Sequence, residues 1–557
     1  MYLKGTTSLI IIFGFLTTPT YTQKNIKYQP WDWVTYQYSG YVNSIADGSQ
    51  FIYFATNGGI LRYQIFGKYW DYPVTQSQGL PENRVFAVYY DFQTHFLWAS
   101  TESGVHYSTD RGGNWQSISR SYLGLQPNEK IEQIGSTHDF LWCRTNYQLM
   151  KLNNFSGFLM VPYATFPEDT ITWGSAHSQR FDDNSEMLDG FGVTGVWMNQ
   201  GVRFYGPELE EVTATTIHQD RFGDIWVGTS GGPLFYGDRQ MQTLEPLNHG
   251  PVQTDLEILL DDTDGLWMGG YSGGSQHSGI TFFDIERDYW NQYRGKYEIH
   301  FGIDQITCGA KVKNEWWFGT PQGIQVFDIE DGSWFFISEV RGLADSFISS
   351  LVTNEETVFA GTQRGLTELS PALYRSINQE YFNLFRGIRI YDLYWDKDNL
   401  WIAAEIGLFR LQSESLFYFN GTNFVNVPKN YKMEISELGI ILRVKKITGS
   451  GNNVYFVYDS GIFTFDKKTA GWSELGKGHH ILNSEINDLE VISFDDEDEY
   501  LWVAANNGAI LIDLKEDFIQ RFNKNDGLPS NDIHSISVMD DVIWFGTPNG
   551  LCRFNWK

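Results

Sequence analysis

Sixty-eight carboxylate side chains stand against 40 lysines and arginines in this 557-residue sequence, a formal charge of −28. Paired carboxylates are the working groups of glycoside hydrolysis, and chain folding can bring such a pair together from distant segments. Spacing along the sequence selects no pair here. Two acidic runs are dense, Asp261, Asp262 and Asp264, and Asp495, Asp496, Glu497, Asp498 and Glu499. Clustered carboxylates hold calcium in dedicated loops, but neither run has such a loop's spacing. Both lie in a hairpin just before an aromatic residue, where Asp serves turn geometry. The pair His479–His480 has no neighbouring ligand motif and reads as a solvated loop. Cys143, Cys308 and Cys552 are far apart and sit in apolar strand-like runs, the pattern of small buried hydrophobes rather than a disulfide framework. The sequence contains no nucleophile elbow, zinc-helix motif or phosphate-binding loop. The expectation is a protein without metal or cofactor that is not an enzyme, a hydrolase or lyase being the alternative.

Binding is the chemistry the sequence favours. Six residues at corresponding turns are candidates for a ligand-facing surface: Gln322, Arg364, Glu405 and Asn507 in short turns, and Tyr271 and His277 where the turn is lengthened. Departures from a repeated scaffold are where function is grafted. Tyr271 and His277 lie in an expanded turn (YSGGSQHSG, 271–279). Residues 160–192 also break the pattern, with Pro162, Phe166, Trp173 and His177. Drift in a tolerant loop explains any single one of these residues equally well.

The elements that position these residues come from a repeat. An aromatic, a small pair often ending in Thr, then Gly and an apolar residue recur as WASTESGV from Trp98, WVGTSGGP from Trp226, WFGTPQGI from Trp317 and WFGTPNGL from Trp544. Weaker copies, including those at Tyr53, Trp197 and Trp267, bring the number to twelve, at about 45 residues per step, the length of one four-stranded propeller blade. An alternating strand precedes each aromatic, an Asp- or Gly-rich turn joins the two, and the Gly after the Thr opens a tight turn into a third strand. A composition of 16% aromatics with 55 glycines suits radial sheets whose wedges are filled by large rings. The expected fold is therefore all-β, a pair of tandem β-propellers of four-stranded blades. Two rings of six divided near residue 300, as 23–300 and 301–557, is the preferred split. Five plus seven is the alternative, because Trp197 and Trp226 are only 29 residues apart. The last repeat runs out before its fourth strand, and residues 31–36 (WDWVTY) resemble one, so the N-terminal strand is expected to close the last blade and remove its free edge.

The segment from Gly527 to Asn555, GLPSNDIHSISVMDDVIWFGTPNGLCRFN, resembles the repeat of two-component regulator propellers, with weaker copies at 79–107 and 342–369. The resemblance covers nearly the whole chain beyond residue 22. It implies an extracytoplasmic ligand-facing propeller of the kind that signals to a kinase. Similar tandem propellers also occur in a cell-surface component of the type IX secretion system. The sequence shows no kinase, receiver or membrane-spanning segment after the last repeat, so signalling in cis is not expected. A second, local resemblance is to the Asp-box of sialidase-like propellers, through Ser108, Asp110, Gly112 and Trp115, which implies a folded turn at a blade edge rather than catalysis.

Residues 1–22 read as a cleaved signal peptide, with Lys4 ahead of a short apolar run too brief to span a bilayer. The expected location is periplasmic or secreted to the cell surface, with no membrane insertion. The acidic charge disfavours nucleic acid. The partner expected is a glycan, a peptide or an envelope protein.

Overall fold

The recurring motif folds as a recurring antiparallel sheet. The computed structural model describes residues 29–176, 185–206, 211–270, 279–293, 305–377, 380–427, 442–458, 461–475, 484–494, 498–515, 518–539 and 541–556. Among the described residues there are eleven sheets. They are numbered here as sheet 1 (42–74), 2 (87–119), 3 (131–161, extended by 172–173), 4 (192–247), 5 (258–293), 6 (308–337), 7 (348–377), 8 (390–427), 9 (444–475), 10 (486–522) and 11 (535–555, completed by 33–36). These are tandem β-propellers.

Each part of the motif has a structural task. Its aromatic lies in the second strand and is buried between sheets: Trp98, Trp226, Trp317, Trp401, Trp502 and Trp544 are all at most 1% exposed. Its Thr closes the turn that follows. The Oγ1 of Thr56, Thr320, Thr362 and Thr547 donates to the carbonyl of the Gly three residues on and accepts the amide two residues on. Gly323 and Gly365 enter the third strand at φ of +147° and +153°, a region that excludes a Cβ.

Sheets are laced side by side through their first strands. A small polar residue near the start of one first strand donates to a backbone carbonyl of the next: Asn43 to Val85 (2.7 Å), Thr215 to Val42 (2.5 Å), Thr307 to Ile348, Ser349 to Ile390 (both 2.6 Å) and Asn487 to Ile533 (2.8 Å). Together with direct packing of adjacent first strands, these bonds order sheets 5 to 11 into a ring of seven that closes where sheet 5 meets sheet 11. Sheet 5 is tied to sheet 6 by the Lys311–Asp262 ion pair and by the Trp316 indole, which donates to Asp262 at 2.7 Å. The other unit has its sheets in the order 4, 1, 2, 3. Its axis is crossed by Gly174 and Ser175, which bond to Ile134 of sheet 3, Ser44 and Ile45 of sheet 1 and Thr216 of sheet 4.

Two expectations change. Residues 258–293 were assigned to the first ring by a division near 300, but sheet 5 packs between sheets 6 and 11, so the chain passes from one unit to the other within 248–257. The copy at Trp197 forms no sheet of its own. Met198–Gln200 and Arg203–Tyr205 add to the N-terminal half of Glu211–Gln219 in sheet 4, because a step of 29 residues cannot hold both a four-stranded sheet and the loop to the next one. With seven sheets in one ring, the arrangement is nearer to five plus seven than to six plus six.

The N-terminal strand Trp33–Tyr36 does close the last sheet, pairing Trp33 with Phe554 and Tyr36 with Leu551. The Trp33 ring stacks on Phe554, with centroids 3.8 Å apart and planes 9° from parallel. Entering and leaving chains thus lock the same sheet. At the seam between the units, the buried His249 ring lies against Trp70 of sheet 1 (4.9 Å), Trp290 of sheet 5 (5.8 Å) and Tyr36 (6.0 Å). Burial pushes its imidazole down to about 3, so it is neutral there.

Candidate functional site

Strands one and two of every sheet run antiparallel, so the turns from strand two to strand three lie on the face where each first strand begins. Gln322, Arg364, Glu405 and Asn507 occupy these turns in sheets 6, 7, 8 and 10 of the seven-sheet ring, and all four are exposed. The structure therefore brings these four, distant in sequence, to one face. Tyr271 and His277 lie outside the described residues, as do His177, His479–His480 and Asp495–Glu497. The turns are anchored by backbone, which leaves their side chains to solvent: Glu405 N–H donates to Arg389 (2.8 Å), Asn506 N–H to Glu485 (3.1 Å), and Gly387 N–H to Arg364 (2.8 Å). Arg364 stands 3.6 Å from Asp345, with three-quarters of its side chain exposed.

Beneath this face the first strands put charge at the axis. Asp392, Lys446 and Asp488 hold the same position in consecutive sheets 8, 9 and 10, where sheets 6, 7 and 11 have Cys308, Ser350 and Ser535. Asp392 accepts from Ser350 (2.9 Å) and from the Ile447 amide (2.8 Å). Asp488 accepts from the Ile536 amide (3.1 Å), and Lys446 lies 3.4 Å from Asp488. Asp488 is the main reason that the Lys446 ammonium is held above its ordinary range, and Asp392 adds to it. Burial raises the Asp392 carboxyl. Glu490, two residues further along the sheet 10 strand, is pushed up to about 8 by burial, by Asp488 and by Asp261, with Lys446 opposing. That environment favours its protonated form.

At the rim, His534 stands between Asp255 (3.2 Å) and Asp532 (3.3 Å). The bond with Asp255 raises the imidazole above its usual value against the effect of burial, favouring the cation. Sequence reasoning missed Asp392, Lys446, Asp488, Glu490 and His534 because it looked for function in turns. The available signal was a charged residue at a first-strand position that other repeats fill with Ser or Cys. Among the described residues, no group of three or more His, Cys, Asp or Glu is arranged to hold a metal ion. Cys143, Cys308 and Cys552 are buried and unpaired with one another.

The 108–115 turn is in the other unit, on sheet 2. One Asp110 oxygen accepts from Ser108 Oγ (2.7 Å) and from the amides of Gly113 and Asn114 (both 2.9 Å). Burial works against ionisation of Asp110, but the hydrogen bonds from Ser108 and Asn114 outweigh it and lower the carboxyl. Gly112 takes φ of +115°, where a Cβ would meet Val74, and the Trp115 indole donates to the Gly112 carbonyl at 3.0 Å. All of this is local architecture, and the carboxylate is already occupied.

No family model matches the sequence, and no curated protein matches it. Solved structures do. PorZ, described as an essential bacterial surface component of the type-IX secretion system of Porphyromonas gingivalis, aligns over 94% of this chain and 87% of its own at 13% identity and a TM-score of 0.53. The extracellular domain of the putative one component system BT4673 from B. thetaiotaomicron aligns over 91% of this chain and 69% of its own, at 14% identity and a TM-score of 0.42. What is shared is the fold. Among the described residues no helix is long and apolar enough to cross a membrane.

Proposed function

We propose that this chain is an exported, non-catalytic tandem β-propeller that binds a ligand, a glycan or peptide or a segment of a partner protein, through the turn face of its seven-sheet ring. The reading rests on one observation. Equivalent turns, fastened by backbone hydrogen bonds, present Gln322, Arg364, Glu405 and Asn507 to solvent above an axis charged by Asp392, Lys446 and Asp488. Exposed side chains on a rigid scaffold are available for recognition.

A thermal-shift screen of the mature chain against oligosaccharides and peptides tests it. A ligand at 100 times its Kd adds about 2.7 kcal/mol to stability. The reading requires a stabilising ligand whose effect is lost in the R364A/E405A double variant. A hit that survives in that variant, or a screen without hits, rejects it.

The second reading is a component of a cell-surface or secretion assembly, similar to PorZ, to which the fold likeness extends over 94% of the chain. In this reading the same face docks a protein of the envelope. Affinity purification from solubilised membranes would then recover a stoichiometric partner, which R364A/E405A would release.

A further inference from the structure

The opposite face of the four-sheet unit carries a different surface. Here the turns between strands one and two and between strands three and four meet. Three phenylalanines stand out from them: Phe66 is 67% exposed, Phe222 55% and Phe92 42%. Folding leaves single apolar residues outside as a matter of course, but three rings gathered around one spot mark an interaction surface. Phe66 and Phe222 meet edge to face at 6.0 Å, and the Arg221 guanidinium sits 5.0 Å from the Phe222 ring and 5.6 Å from the Phe92 ring.

Two arginines flank a single turn at this spot. Arg221 donates to the Ser49 carbonyl and Arg111 to the Gln50 side chain, each at 2.7 Å. A guanidinium carries five N–H donors, so each bond orients the group and leaves further donors to solvent. Neither arginine has an ion-pair partner among the described residues, in a chain with 68 acidic and 40 basic side chains. The acids close by are engaged: Asp110 inside its turn, and Asp47 with His218 at 3.3 Å, with Arg221 adding a weaker attraction beyond ion-pair distance. An open cleft of about 860 Å³ lies beside Arg111, lined also by Ser49, Gln50, Phe66, His95 and the already engaged Asp110.

We propose that this face binds an acidic peptide segment of a partner protein. Carboxylates of the segment would pair with Arg111 and Arg221, which suit bidentate recognition, and an apolar side chain between them would cover Phe66 and Phe222. Phenylalanine rings carry no hydrogen-bonding group, which favours an apolar side chain over a polyhydroxylated ligand. Exposed aromatics beside arginine are the composition of interface hot spots. The binding is separate from the turn face of the seven-sheet ring, so the two can be lost independently.

The test is a selection of displayed random twelve-residue peptides on the mature chain. The expected winners are acidic peptides with an apolar residue. Their Kd, read by fluorescence anisotropy, should rise at least tenfold in R111Q/R221Q and severalfold in F222A. It should weaken with added salt and stay unchanged in R364A/E405A. All substituted side chains are exposed, and an unchanged melting temperature confirms that each variant is folded. Winners that are neutral or basic, winners that bind R111Q/R221Q equally, or no enrichment would overturn the proposal. Binding of oligogalacturonate in place of peptide, lost in the same variant, would overturn it in favour of an acidic glycan.

Discussion

Trp33→Ala tests how the ring is locked. Trp33 is 1% exposed and packs in the seven-sheet ring against Phe554 at 3.8 Å, Phe522 at 5.7 Å and Phe545 at 6.2 Å. A buried Trp removes about 200 Å² from water, on the order of 5 kcal/mol at about 25 cal/mol/Å². Alanine keeps the backbone ladder to Phe554 but little of that burial, so the expected loss is about 3–5 kcal/mol. The location of the loss matters as much as its size. Trp33 lies next in sequence to the four-sheet unit, but its partners are more than 480 residues away, in sheets 10 and 11. Urea unfolding followed by near-ultraviolet dichroism gives the magnitude. Hydrogen exchange read by mass spectrometry gives the place, with protection falling over 518–555 while 87–153 is spared. A variant that melts like wild type, or that loses protection in 87–153 alone, would refute the closing role of the strand. Phe158→Ala, at a ring 62% exposed, is the control and should change stability by less than about 0.5 kcal/mol.

Three further outcomes are expected. The Glu490 carboxyl takes its proton near 8 in the native state but near 4.5 when unfolded, so the native state binds more protons between these values and stability falls as pH rises through the window. A shift of this size has a ceiling of about 5 kcal/mol, which partial exposure reduces to about 1–3 kcal/mol. Glu490→Gln should flatten that fall in urea midpoints taken from pH 5 to 9, and parallel profiles for the two proteins would contradict the burial argument. His249 has the opposite sign: its proton affinity is depressed to about 3, so stability falls as pH drops below 6.5, and His249→Phe should soften acid unfolding between pH 6.5 and 4. Asn487→Ala removes the bond from sheet 10 to the Ile533 carbonyl and should cost about 1–2 kcal/mol, checked by chemical denaturation with Asn487→Asp as a second variant that keeps the shape but loses the donor.

The repeat was legible because each of its positions solves a local problem. Thr320 and Gly323 make the same turn as Thr547 and Gly550, and that turn needs only a hydroxyl and a left-handed backbone. The closing strand was legible because a missing fourth strand is an unpaired edge and WDWVTY is its only counterpart upstream of the first repeat. The membership of residues 258–293 was not legible. Nothing in that segment names its neighbour, and the contact that assigns it joins Asp262 to Lys311 and Trp316. The merged copy at Trp197 misled for a related reason: a motif can persist where the chain is too short to build its sheet.

The candidate surfaces divide in the same way. From the sequence came the equivalence of Gln322, Arg364, Glu405 and Asn507, since repeated turns must fall on one face once the sheets are radial. The sequence also determined the blade, since an aromatic wedge, a Thr–Gly turn and alternating strands act over a few residues. Only the tertiary structure placed Asp392, Lys446 and Asp488 at one axis, or set Arg111 and Arg221 on either side of one turn. Those groups come from segments 42 to more than 100 residues apart. Their charge states depend on burial and on each other, and both exist only after the rings close.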